Sequence, residues 1–183
     1  MTKLTVIAGP TAVGKGTVVR YLINQHPEIS LSVSATTRPP RPEEVDGVHY
    51  HFLTKAEFED LIAKNELLEY ATVHQDHLYG TPKQPVLDAL AANKQIILEI
   101  DVQGAMQVKE SMPSANLIFL SPPSMEELER RLRERGTESE EQMNTRLQTA
   151  RTEMAMAPDF DHIVINNDVA QCAADVLDLM QAN

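Results

Sequence analysis

The stretch "GPTAVGKGT", Gly9 to Thr17, sets two glycines either side of a short variable segment and follows the second with a lysine. An apolar run, Leu4 to Ala8, precedes it and another, Val18 to Ile23, follows, so it reads as a turn from strand to helix. Such a turn aims backbone N–H groups at one point, and the helix N-terminus adds partial positive charge. Phosphate oxygens are stabilised there. Gly9 and Gly14 permit the tight turn, with Pro10, Thr11, Ala12 and Val13 between them, and Lys15 would reach the outer phosphates of a nucleoside triphosphate as a point charge. The usual pattern then places a hydroxyl against magnesium. Here Gly16 stands in that place and Thr17 follows. The substitution weakens the direct metal contact and leaves the cradle intact, so Mg²⁺ is expected to be held mainly by phosphate oxygens and water, with no protein ligand assigned.

A second candidate lies in "SATTRPPRP". Arg38 and Arg41 stand three positions apart in a proline-stiffened segment, where two guanidinium forks could converge on one phosphate group, with the Tyr50 hydroxyl as a further donor. By themselves two arginines beside prolines read equally as surface residues. The charge of the whole chain sharpens the issue. With a formal net charge of -11 over 183 residues, its average surface repels DNA, RNA and anionic lipid, so any phosphate site has to be built locally. Neither nucleic acid, membrane nor a protein partner is implied. Cys172 is the only cysteine, which rules out an internal disulfide and a thiolate zinc cluster. His49, His51, His74 and His77 lack the carboxylate or cysteine neighbours of a zinc site. No signal-peptide pattern or membrane-length apolar run is read, and a cytoplasmic protein is expected.

The elements that must position these residues follow from periodicity. Leu4–Ala8, Gln95–Asp101, Asn116–Leu120 and His162–Asn166 read as buried strands alternating with helical patterns, which predicts a parallel α/β sheet. Thr54 with Glu57, Ser124 with Glu127 and Ser139 with Gln142 have capping-box spacing. Met125, Leu128 and Leu132 share one helix face, and Met143, Leu147, Ala150 and Met154 another. Two stretches interrupt the rhythm. Ser34 to about Pro82, with its alternating "VHYHF", reads as a small inserted α+β unit, and "RGTESEEQ" as a mobile lid between two arginine-bearing helices.

Taken together, "GPTAVGKGT", "SVSATTRPPRPEEVDGVHYHF", "LLEYA" with "YGT", "LEIDVQGA", "RRLRERGTESEE" with Arg146, and "IVIN" resemble the guanylate kinases over Thr5 to about Asp168. The resemblance implies a single domain over 1–183 in three parts. These are a P-loop parallel-sheet core flanked by helices (1–33, 83–123 and 158–183, with the loop at 9–17), a GMP-binding α+β subdomain (34–82), and a helical lid with its flanks (124–157). It implies transfer of the γ-phosphate of ATP to GMP, with Mg²⁺. Carried over by position, Arg38, Arg41, Tyr50 and Tyr79 would hold the acceptor phosphate, and Glu69 and Thr81 would read guanine. Guanine offers N1–H and its 2-amino group as adjacent donors to a carboxylate and O6 as an acceptor, whereas adenine would leave the carboxylate unpaired. Ser34 and Asp101 match positions near the acceptor and the metal, and Arg131, Arg135 and Arg146 match the lid cations that close over the transferring group. Asn166 matches a position near adenine, or caps a turn at a strand end. The spacing from Glu69 to Tyr79 is one residue longer than the commonest family version. A non-catalytic binding module and a related kinase acting on another phosphate acceptor stand as the alternatives.

Overall fold

The computed structural model describes residues 4–73, 76–135 and 139–182. Five parallel strands form the central sheet: β1 (Thr5–Ala8), β2 (Ser30–Leu31), β7 (Ile96–Glu99), β8 (Asn116–Ser121) and β9 (His162–Ile165), in the order β2-β7-β1-β8-β9. The apolar runs of β1, β7 and β8 are continuous because successive side chains point to opposite faces and both faces are covered there, whereas β9, expected to be buried, is an edge strand that leaves Ile163 and Ile165 exposed. Ile7, Ile118 and Leu120 meet Val18, Val19 and Leu22 of α1 (Lys15–Gln25) and Cys172 and Val176 of α7 (Val169–Gln181). Val6, Ala8, Leu117 and Phe119 face the other way, against Val86 of α3 (Lys83–Ala91) and Val102, Ala105 and Val108 of α4 (Val102–Ser111).

The insertion has its own sheet and core. β3 (Ala35–Thr36), β4 (His51–Phe52), β5 (Leu67–Val73) and β6 (His77–Pro82) lie in the order β4-β3-β6-β5, with β6 antiparallel to both neighbours. Phe58 of α2 (Lys55–Ala63) is fully buried against Ala35 and Leu67. Thr54 caps α2 in a reciprocal capping box with Glu57. The alternating "VHYHF" forms much less strand than its pattern predicts. Only His51 and Phe52 join the sheet, and Tyr50 makes an isolated bridge to Asp46, because residues 41–50 spend their backbone groups locally: Glu44 N–H donates to Arg41, and Val48 and His49 both donate to Val45. His49 therefore lies in a turn, where its ring nitrogen accepts from Val45 N–H at 3.0 Å.

Two further helices, α5 (Met125–Arg135) and α6 (Glu140–Ala155), flank the expected lid, whose residues Gly136, Thr137 and Glu138 lie outside the described residues, as does His74. Ser139 and Gln142 form the expected capping box on α6. At α5 only half of one forms: Ser124 accepts from Glu127 N–H, while the Glu127 carboxylate turns to Arg130 and Arg131. Leu132, Met143 and Leu147 then pack on Ala12, so the two helices rest directly on the glycine-rich turn. Met154 leaves the face it shares with them in sequence and joins the core around α4.

Candidate active site

The turn between β1 and α1 is locked by close contacts that only its residue types allow. A Cβ on Gly9 would lie 2.3 Å from the Leu120 carbonyl oxygen of β8. Gly14, the residue before α1, adopts φ 95°, and its Cβ would meet the Asn166 amide at 2.8 Å. No side chain caps α1 and none of its own first-turn residues is acidic, so the positive end of the helix faces the loop. Lys15 folds its ammonium back onto the carbonyls of Gly9 at 2.6 Å and Pro10 at 3.4 Å. Asn166 is buried at the end of β9, and its amide donates to Val13 O at 2.7 Å. Asn166 thus braces the turn between β1 and α1.

The cations of α5 and α6 reach the same loop. Arg131 donates to Val13 O at 3.3 Å, to Asn166 O at 3.1 Å and to Glu127 at 2.8 Å. Arg146 approaches the Thr11 hydroxyl at 3.4 Å. Arg135 ends α5, and its side chain lies outside the description.

Two carboxylates that the sequence reading left without a role also converge on the turn. Glu99, at the carboxyl end of β7, places Oε1 3.3 Å from where a Gly16 Cβ would stand. Burial pushes its carboxyl above the usual range, and Lys15 and Arg20 pull it back. Glu153 of α6 accepts the Thr11 N–H and faces Lys15. The clue to Glu99 was its place at a strand's carboxyl edge, where open parallel sheets gather ligands.

Across the cleft, the second sheet carries the other group. Glu69 and Thr81 are cross-strand partners on β5 and β6, both buried, and the Thr81 hydroxyl donates to Glu69 Oε1 at 2.7 Å. Asp101 caps α4 by accepting from Gly104 N–H at 2.6 Å. A Cβ on Gly104 would lie 3.1 Å from Glu69 and 3.3 Å from Asp101, so this glycine lets the two carboxylates approach. Burial raises the Glu69 carboxyl to about 7, Asp101 adds to the rise, and the Thr81 hydroxyl opposes it. Ser34 precedes β3 and accepts His51 N–H through its carbonyl. Arg38 donates through Nε to the Tyr79 hydroxyl at 3.2 Å and lies over the Tyr50 ring, 5.6 Å from its centroid. Tyr50 and Tyr79 meet edge to face. The Arg41 guanidinium is exposed, while its backbone N–H is held by Glu44 at 2.7 Å.

Thus one wall is a cationic loop shaped for phosphate, and the other pairs an arginine–tyrosine cluster with a buried carboxylate and hydroxyl. Comparison with known proteins gives the family. The guanylate kinase family model matches residues 1–183. A guanylate kinase of Leifsonia xyli subsp. xyli is 56% identical over 97% of this chain and 70% of its own length. One of Cutibacterium acnes is 53% identical over 97% of this chain and 89% of its own. The crystal structure of a guanylate kinase from Anaplasma phagocytophilum superposes with TM-score 0.76 at 30% identity, covering 98% of this chain and 85% of that one. A gluconokinase from Sinorhizobium meliloti shares the fold alone, with TM-score 0.52 at 14% identity. The chain belongs to the guanylate kinase family.

Proposed function

We infer that the chain transfers the γ-phosphate of ATP to GMP, giving ADP and GDP by in-line attack of an acceptor phosphate oxygen. The observation that carries this reading is the buried Glu69–Thr81 pair set opposite the Lys15 loop, a carboxylate matched to the paired donors of guanine beside a hydroxyl whose proton, held by Glu69 here, would turn to O6. Residues 9–17 cradle the phosphates of ATP, and the insertion, 34–82, binds GMP. Arg38, Arg41, Tyr50 and Tyr79 take the acceptor phosphate, with Ser34 and Asp101 beside it. Lys15 leaves its carbonyl partners for the outer phosphates of ATP. Arg131, Arg135 and Arg146 of the segment 124–157 stabilise the negative charge that spreads over the transferring group. No general base is needed, since the acceptor is already anionic, and the protein acts by positioning and charge compensation.

The site fits a hard divalent cation next to the phosphates. Glu99 offers carboxylate oxygens beside Gly16, in the place of the missing hydroxyl, while nowhere among the described residues do three or more candidate ligands gather, so phosphate oxygens and water would complete the shell. Glu99 and Asp101, with water and phosphate oxygens, would hold Mg²⁺. When bound, the ion neutralises charge between the β- and γ-oxygens.

A coupled assay of ADP release with GMP, dGMP, AMP and ribose phosphates as acceptors tests the reading. Turnover is expected with GMP and dGMP and not with the others. Lys15→Met should abolish it while the fold, followed by circular dichroism, survives. Turnover confined to AMP or a sugar phosphate, or no turnover in the presence of tight nucleotide binding, would overturn it.

A further inference from the structure

Glu44 sits inside the cluster that takes the acceptor phosphate, and it is an anion. Its two oxygens lie 2.8 Å and 2.9 Å from Nη2 of Arg38, and the second also accepts the Arg41 N–H at 2.7 Å. The other nitrogens of Arg38 are engaged as well, Nε with the Tyr79 hydroxyl and Nη1 with Pro39 O at 2.8 Å. Arg38 and Glu44 are only 15% and 16% exposed at their side chains, so water does little to loosen the pair. Those contacts with Arg38 and Arg41 hold the Glu44 carboxyl down to about 2, and it stays charged across the working range.

We propose that Glu44 is an internal counter-anion that occupies Arg38 until a nucleotide phosphate displaces it, so that free inorganic phosphate is kept out while a nucleotide is admitted. The chemistry is one of exchange. A small phosphate anion offers Arg38 the same kind of charge-assisted bond that it must break, and so gains little. GMP brings a second anchor, its base at Glu69 and Thr81, and that anchor supplies what the exchange alone does not. Two guanidiniums without Glu44 would instead form an open anion site, ready for the phosphate of the surrounding solution. The same carboxylate closes the turn that carries Arg41, since it accepts Arg41 N–H while Glu44 N–H donates back to Arg41 O at 3.0 Å.

This inference rests on the reading of Arg38 as a ligand of the acceptor phosphate. Glu44→Gln separates its two roles: the amide oxygen still accepts Arg41 N–H and keeps the turn, and the charge is gone. Inorganic phosphate is titrated as a competitor of GMP in the full chain, with ATP saturating. In the variant the inhibition constant for phosphate should fall by about tenfold or more, the KM for GMP should fall in the same direction because its phosphate displaces the same contact, and the KM for ATP should not move. An unchanged or weaker phosphate inhibition, in a variant whose KM for ATP is that of wild type, overturns the proposal and leaves Glu44 only as the builder of a turn. Should Glu44→Gln fail to fold, Glu44→Asp, one methylene short of Arg38, carries the same expected sign. If the wild-type chain neither binds nor phosphorylates GMP, it is the reading of the site that falls.

Discussion

Glu69 answers to two opposed demands. To pair with both donors of guanine, as proposed, it has to be a carboxylate, yet burial and the nearby Asp101 raise its carboxyl to about 7, so near neutrality charged and neutral forms coexist. GMP should therefore bind more weakly as pH falls through 7, its KM rising by up to about tenfold per pH unit below that point while the KM for ATP stays level. The nucleotide's own phosphate also titrates, so the deciding comparison is Thr81→Val. That change removes the hydroxyl that holds the Glu69 carboxyl down and should move the midpoint upward, which a titration on the nucleotide would not do. Stability carries the opposite sign from binding. A carboxyl raised from 4.5 to about 7 in the fold contributes most below pH 4.5, where both states are protonated, and loses that contribution as pH rises through 7. Glu69→Gln should accordingly be more stable than wild type at pH 8, by on the order of 1–3 kcal/mol of unfolding free energy, and the gap should close toward pH 4. A denaturation series over that range checks it; a variant less stable at pH 8 would show that Glu69 is not a strained anion.

The two sheets are joined by α4, and the joint is made of side chains that imitate backbone. Gln107 donates to Tyr70 O and accepts from Tyr70 N–H, both at 3.0 Å, while the Ser111 hydroxyl donates to Leu68 O at 2.8 Å. Strand β5 lies at the edge of its sheet, and these bonds occupy groups that would otherwise be open to another strand. Because the start of α4 also carries Asp101 and Gly104 against Glu69, this helix sets where the Glu69–Thr81 pair stands relative to the loop. Gln107→Ala should cost about 1–2 kcal/mol of stability, quicken amide exchange at Tyr70, and raise the KM for GMP with little change for ATP. Exchange at Tyr70 as slow as in wild type would place the joint elsewhere. None of this was legible in the sequence, where Gln107 and Tyr70 are 37 positions apart and a glutamine on a helix reads as solvated. What was legible was local: the turn from Gly9 to Thr17, whose glycines are dictated within a few residues, the capping residues Thr54 and Ser139, and the apolar runs of the central strands. The stretch before His51 misled because alternation gives a strand only where a partner is present. Glu44 and Glu99 went unassigned because the partners that give them meaning, Arg38 and Gly16, are set by turn and sheet geometry rather than by spacing.

At the scale of the molecule the binding problem is electrostatic. A chain of formal net charge -11 has to gather two polyanions, and it does so with cations turned inward: Lys15 on the loop, Arg131 and Arg146 bonded to that loop, and Arg38 within the insertion. The two fields act over different ranges. Repulsion from the whole body reaches about 30 Å at 0.01 M salt and only about 8 Å at 0.15 M, whereas contacts at hydrogen-bond distance inside the cleft are screened far less. An approaching nucleotide meets the repulsion first and the attraction last. Adding an inert monovalent salt should therefore raise kcat/KM for GMP between roughly 0.01 and 0.15 M, as the long-range barrier is removed, and lower it above that range, as the local contacts weaken in turn. The measurement is a series of initial rates at fixed free Mg²⁺ with subsaturating GMP. A steep fall beginning at the lowest salt would mean that the inward cations dominate the field outside the cleft as well, and that the acidic surface has no part in admitting substrate.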